Sequence, residues 1–94
     1  IKGIKQASSL EESFKFYPNP ANTQLKLDFY LSKAQPVKIN LYNLLSQKVE
    51  SFAYQGSEGK NQIQLDVSAL PTQAYYLQLE TSQESFQKRL IIMR

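Results

Sequence analysis

The chain has 94 residues, 41% of them hydrophobic and 20% charged, and eleven Lys/Arg against eight Asp/Glu give a net charge of +3. That is one domain's worth of core. The absence of His and Cys excludes His-based triads, thiol nucleophiles, disulfides, iron–sulfur sites and His- or Cys-ligated zinc. Asp28 and Asp66 alone cannot build a multi-Asp calcium cage, and three glycines leave no phosphate-cradling loop, so no metal or cofactor is expected. The positive charge is mild and spread along the chain, which argues against a nucleic-acid partner. No apolar run nears the ~20 residues of a membrane helix, so no stable membrane insertion is expected. No signal peptide is visible, and the chain opens on Ile1 rather than Met, which suggests excision from a longer precursor.

Residues 1–13 scatter Ile1, Ile4 and Leu10 among polar residues with no clear face, and read as a linker. From there the period is two almost throughout, a strand signal. A strand begins near Ser13, with Phe14 and Phe16 on one side and Lys15 and Tyr17 on the other. Pro18-Asn19-Pro20 stops it, because proline cannot donate to a ladder and restricts the residue before it. The second strand alternates Leu25, Leu27, Phe29 and Leu31 with Lys26, Asp28 and Tyr30. The third sets Val37, Ile39 and Leu41 against Lys38, Asn40 and Tyr42. A hairpin turn at Asn43-Leu44-Leu45-Ser46 leads to a less regular fourth strand over 47–54, and residues 55–61, with Gly56 and Gly59, read as a loop. The fifth strand turns Ile63, Leu65 and Val67 inward. After a crossing segment over 68–73, the sixth carries Tyr75, Leu77 and Leu79 inward against Tyr76, Gln78 and Glu80. The last strand, from about Ser85, puts Phe86, Lys88, Leu90 and Ile92 on one face. Seven short strands at roughly ten-residue spacing indicate an all-β antiparallel sandwich, and no segment has the crossover helices a parallel sheet needs. The expected core is Leu25, Leu27, Phe29, Val37, Ile39, Leu41, Ile63, Leu65, Tyr75, Leu77 and Leu79.

The carboxylates are the remaining acid/base groups. Asp28 and Glu80 fall on wet strand faces and Asp66 near a strand end, and a small sandwich offers little cleft for the ~5–10 Å carboxyl pair of a glycosidase. They read as surface charge, and no catalytic residue is assigned. Tyr30, Tyr42 and Tyr76 occupy outward positions, where an aromatic row either pairs across strands or stacks a sugar or a partner. Tyr75 opens an inward set just after a crossing segment, the place of a structural tyrosine corner. The end of the chain, Lys88-Arg89-Leu90-Ile91-Ile92-Met93-Arg94, joins an apolar strand to three positive charges. It reads either as a core strand with solvated ends or as a signal strand that a partner recognises.

Several blocks carry a family pattern. They are Tyr17-Pro18-Asn19-Pro20-Ala21-Asn22 followed by Leu25-Lys26-Leu27; Val37-Lys38-Ile39-Asn40-Leu41-Tyr42-Asn43 with Gln47-Lys48-Val49; residues 61–70; Ala74-Tyr75-Tyr76-Leu77-Gln78-Leu79; and the closing Lys88-Arg89-Leu90-Ile91. In this order they resemble the C-terminal sorting domain, type A, of the type IX (Por) secretion system of Bacteroidetes, from Phe14 to the end. The resemblance implies a seven-stranded antiparallel immunoglobulin-like β-sandwich over 14–94 and a linker over 1–13 that carries the processing site. It implies a non-catalytic signal that takes attached cargo through the periplasm and outer membrane to the cell surface or medium. The partners it implies are the outer-membrane translocon, a surface sortase-like protease that removes the signal, and an N-terminal cargo domain in the same precursor. The residues expected to be read are Tyr17, Pro18, Asn19, Pro20, Lys88, Arg89, Leu90 and Arg94. The family usually has glycine where Ser46 and Gln73 stand. Glycine there would supply a positive φ, so those two turns are expected to be reshaped or strained. Two rivals stand beside this reading: a carbohydrate-binding or adhesion accessory module using Tyr30, Tyr42 or Tyr76, and a structural spacer.

Overall fold

A computed structural model of the chain describes residues 9–94. The part of the expected linker before Ser9, with any processing site in it, lies outside the described residues. The elements run α1 (Ser9–Ser13), β1 (Lys15–Tyr17), β2 (Gln24–Leu31), β3 (Gln35–Tyr42), β4 (Lys48–Gly56), β5 (Gly59–Asp66), β6 (Gln73–Glu80) and β7 (Ser85–Ile92). The seven strands form two sheets, β1-β2-β5 and β4-β3-β6-β7, with every strand pair antiparallel. The chain is thus all-β apart from one helical turn.

Alternation explains the layering. In β2, Leu25, Leu27, Phe29 and Leu31 are buried while Lys26 and Tyr30 face solvent. The register sets Leu25 opposite Leu65 in one sheet, and Ile39 opposite Leu79 and Leu41 opposite Leu77 in the other. Apolar side chains therefore meet across each ladder as well as between the sheets, and a slip of one residue would expose the whole set. Each fully buried Leu contributes roughly 1.5–3 kcal/mol. Of the expected core, only Ile63 is not fully buried. It lies on β5, the edge of the three-stranded sheet, where one flank has no strand to cover it.

The core also draws on segments whose sequence carries no strand period. Leu10, within the stretch read as linker, is 5% exposed and Phe14 is 7% exposed. The Phe14 ring stands edge-on to Phe86 of β7 at 5.3 Å, and 6.4 Å from Phe29 of β2, so it touches both sheets. The Ser13 hydroxyl donates to the Leu10 carbonyl at 2.9 Å and accepts the Tyr30 N–H at 3.0 Å, fastening α1 to β2. The expected loop over 55–61 is shorter than read, because only Ser57 and Glu58 separate β4 from β5. Buried Asn61 holds that connection, accepting the Ser57 N–H at 2.9 Å and donating to the carbonyls of Ser57 and Gly59. At the β3–β4 hairpin, Asn43 Oδ1 accepts the N–H groups of Leu45 and Gln47. Ser46 takes φ +64°, the left-handed conformation in which a three-residue hairpin loop favours glycine. Gln73, the other position expected to be strained, instead begins β6 in extended backbone.

Candidate recognition surface

The proline turn and the terminal strand, 72 residues apart, meet in space. The peptide bonds before Pro18 and Pro20 are both cis, and Pro18, Asn19 and Pro20 are exposed. Asn19 Oδ1 accepts the Ile91 N–H at 3.0 Å. The Ala21 N–H donates to the Ile91 carbonyl at 2.8 Å, and the Met93 N–H donates to the Ala21 carbonyl at 2.8 Å. Ala21 is fully buried and forms a parallel bridge with Ile92. Since β6 covers only one edge of β7, the turn latches the other edge at its C-terminal end. Backbone groups alternate between edges with a period of two. Those of Arg89 and Gln87 therefore lie on the same edge as Ile91 and continue it.

The other expected recognition residues take different places. Tyr17 ends β1, and its hydroxyl donates to Asp28 Oδ2 at 2.9 Å. That bond to the carboxylate holds the phenol above its usual pKa, since it requires the proton. Arg89 is exposed and lies opposite Tyr76 on the outer face of the four-stranded sheet. Lys88 Nζ pairs with Glu11 Oε2 at 3.3 Å and lies 5.9 Å from the centre of the Phe86 ring. Leu90 is 0% exposed, so its side chain serves the core and is not presented to a partner. The Arg94 guanidinium donates to the carbonyl oxygens of Leu70 and Val67, tying the chain end to the crossing segment between β5 and β6. Two of the three terminal charges therefore have structural contacts, which corrects the reading of this end as merely solvated. What sequence reasoning missed is that Asn19 substitutes for a neighbouring strand and Arg94 for a turn cap. An amide between two prolines and a terminal arginine name the chemistry, but not partners 72 and 24–27 residues away.

The tyrosines do not form one platform. Tyr42 and Tyr76 are cross-strand partners on the four-stranded sheet, while Tyr30 lies on the other sheet. The Tyr75 ring is buried and its hydroxyl donates to the Pro71 carbonyl at 2.6 Å, four residues upstream. The carboxylates are separated too. Asp28 belongs to β2, and Glu80, on β6, accepts from the Asn40 amide at 3.3 Å. Asp66 Oδ1 accepts the Ser68 N–H at 2.9 Å, and bonds from the Ser68 side chain and backbone hold this carboxyl below its usual pKa. Among the described residues no helix is long and apolar enough to cross a membrane.

A search of curated proteins finds no match for the chain. The family model described as the secretion system C-terminal sorting domain matches residues 15–93, from the first residue of β1 to one residue past β7. Spanning all seven strands and both halves of the latch, that match assigns the chain to the C-terminal sorting domains of the type IX secretion system.

Proposed function

We propose that the chain is a non-catalytic address that carries an N-terminal cargo across the outer membrane through the type IX translocon. A surface sortase-like protease then removes it, leaving the cargo at the cell surface or in the medium. The observation that carries this reading is the family match across all seven strands. The surface we assign to the translocon is the latch, made by Pro18, Asn19 and Pro20 beside the β7 edge, with Arg89 as its exposed charge. A docking protein can engage such an edge by strand addition. Tyr17, Lys88, Leu90 and Arg94 then act by holding that surface in shape. We assign the processing cut to residues before Ser9, because a cut beyond Leu10 would take a buried residue from the core. We also read the sandwich as immunoglobulin-like. Three strands face four, and the Tyr75–Pro71 bond is of the kind a tyrosine corner makes.

The test is to fuse residues 1–94 to the C-terminus of a periplasm-directed reporter in a host with this secretion system. The reporter is expected outside the cell. Retention in the periplasm, while another sorting domain exports the same reporter, would sink the reading. Asn19→Ala and Arg89→Gln separate the assigned surface from the rest. If both variants fold and export normally, the latch is not what the translocon reads.

A further inference from the structure

The outer face of the three-stranded sheet holds a feature that the latch does not use. Lys15, Asp28, Tyr30 and Lys60, with Ser13, line an open cavity of about 390 Å³, within the range of small-molecule sites. The register arranges the first four as cross-strand pairs, Lys15 opposite Asp28 and Tyr30 opposite Lys60. Neither lysine has an ion-pair partner among the described residues, where the one ion pair joins Lys88 to Glu11. Asp28 Oδ2 is taken by the Tyr17 hydroxyl, but Asp28 Oδ1 is buried with no hydrogen-bond partner. Buried polar atoms are nearly always paired, so this oxygen calls for a donor from outside the chain. The Ser13 hydroxyl cannot serve, being committed to Leu10 and Tyr30. Tyr30 is 52% exposed and offers a ring face beside Lys60.

These groups together specify a ligand. The two ammonium groups want an anion, Asp28 Oδ1 wants a hydroxyl donor, and Tyr30 wants a flat apolar face. Inorganic phosphate meets the first need only. A neutral sugar meets the second and third. An acidic peptide brings the charge without a hydroxyl-bearing ring. A sugar acid carries carboxylate, hydroxyls and a C–H face on one ring. We propose that this pocket binds a carboxylate-bearing sugar unit of an acidic polysaccharide. Lys26 lies on the same outward face of β2, two residues from Asp28, and extends the positive surface along a longer chain of such units.

The experiment is a titration of the 94-residue chain with oligogalacturonate at low salt, followed by amide NMR shifts and calorimetry. A neutral galacto-oligosaccharide of equal length and poly-glutamate are the comparison ligands. Oligogalacturonate is expected to shift the amides of Lys15, Asp28, Tyr30 and Lys60, and the neutral oligosaccharide is not. Lys60→Gln and Tyr30→Ala should each weaken binding about tenfold, the scale of one charge-assisted bond or one aromatic contact. Tyr30→Phe should bind as the parent does. The proposal is overturned if the neutral sugar binds equally well, or if the four amides do not move. It is overturned too if poly-glutamate binds as tightly and Tyr30→Ala changes nothing, since the face is then only a positive surface. Lys60→Gln alters an exposed strand position, so it keeps the test decisive should Tyr30→Ala fail to fold.

Discussion

Replacing Arg94 by Gln separates two roles for the end of the chain, a cap on the fold and a charge for a partner. The guanidinium donates to the carbonyl oxygens of Val67, at 2.7 Å, and Leu70, and the Arg94 N–H reaches Thr72 Oγ1 at 3.3 Å. These carbonyls belong to the segment that carries the chain from β5 to β6, and Leu70 within it is buried. Hydrogen bonds from a charged donor contribute about 1.5–3 kcal/mol each when sheltered. Arg94 is exposed, so water competes for both bonds, and fixing the side chain costs up to about 2 kcal/mol of rotamer entropy. The balance is a loss of about 1–2 kcal/mol on Arg94→Gln. For a domain of this size that lowers Tm by about 4–15 °C. Arg89→Gln is the control: the side chain is exposed on the outer face and should change stability by less than about 0.5 kcal/mol. Arg94→Lys keeps the charge but loses the planar fork, and should fall close to the Gln variant. Urea melts of the three variants measure this. A loss under about 0.3 kcal/mol for Arg94→Gln, or a Lys variant as stable as the parent, would refute the capping argument. The same proteins then enter the export assay. A destabilised Arg94→Lys that still exports, beside an Arg94→Gln that does not, would return the residue to the list of charges a receptor reads.

Other outcomes follow from the core, the hairpin and the β5–β6 turn. Leu27→Ala and Leu77→Ala should each cost about 2–5 kcal/mol in denaturant melts, and values below about 0.5 kcal/mol for both would put the inward register on the wrong face. Ser46→Gly should stabilise by about 0.5–1 kcal/mol. It relieves a left-handed cost of about 1–2 kcal/mol, partly offset by glycine's freer unfolded chain. A destabilised Gly variant would contradict this. Asp66 is held below its usual pKa by Ser68, so its contribution to stability is present above the unfolded value near 3.9 and is lost as pH falls through the lower folded value. In Ser68→Ala the Asp66 carboxyl should titrate at a higher pH by NMR, and an unmoved midpoint would remove Ser68 as the cause.

The strands were legible because a half-buried strand leaves a period of two, and β2, β3 and β6 keep it without interruption. Tyr75 was legible for a related reason: an inward aromatic directly after a crossing segment has few structural alternatives. Leu10 was not, since one apolar residue in a polar run defines no face. It enters the core because Phe14, four residues on, draws the segment across both sheets. The short β4–β5 connection was hidden because two glycines suggest a loop, whereas the buried side chain of Asn61 turns the chain within two residues. The pocket on the three-stranded sheet was hidden too. Lys15, Asp28 and Lys60 become neighbours only through the β1-β2-β5 order, which no local pattern encodes.

The latch has a consequence for how an address of this kind works. Bringing Asn19 to Ile91 closes a loop of 72 residues, at an entropic cost of about 4 kcal/mol. Three partly exposed neutral hydrogen bonds return about 0.5–1.5 kcal/mol each, at most a comparable sum. The latch therefore does not form in the unfolded chain. It closes because Leu25, Tyr75, Leu90 and Ile92 pack the sheets and bring the two ends together. A receptor that docks on the latch meets it only after folding, unlike one that reads a linear tail. The two kinds of signal respond differently to mutation. Under the folded-address reading, Leu27→Ala lowers export in proportion to the unfolded fraction, and export recovers on cooling or with a second, stabilising change such as Ser46→Gly. Arg89→Gln lowers export at unchanged stability and is not rescued by Ser46→Gly. If Leu27→Ala exports at the parental rate while largely unfolded by proteolysis, the tail is read as a linear peptide and the latch is only structural.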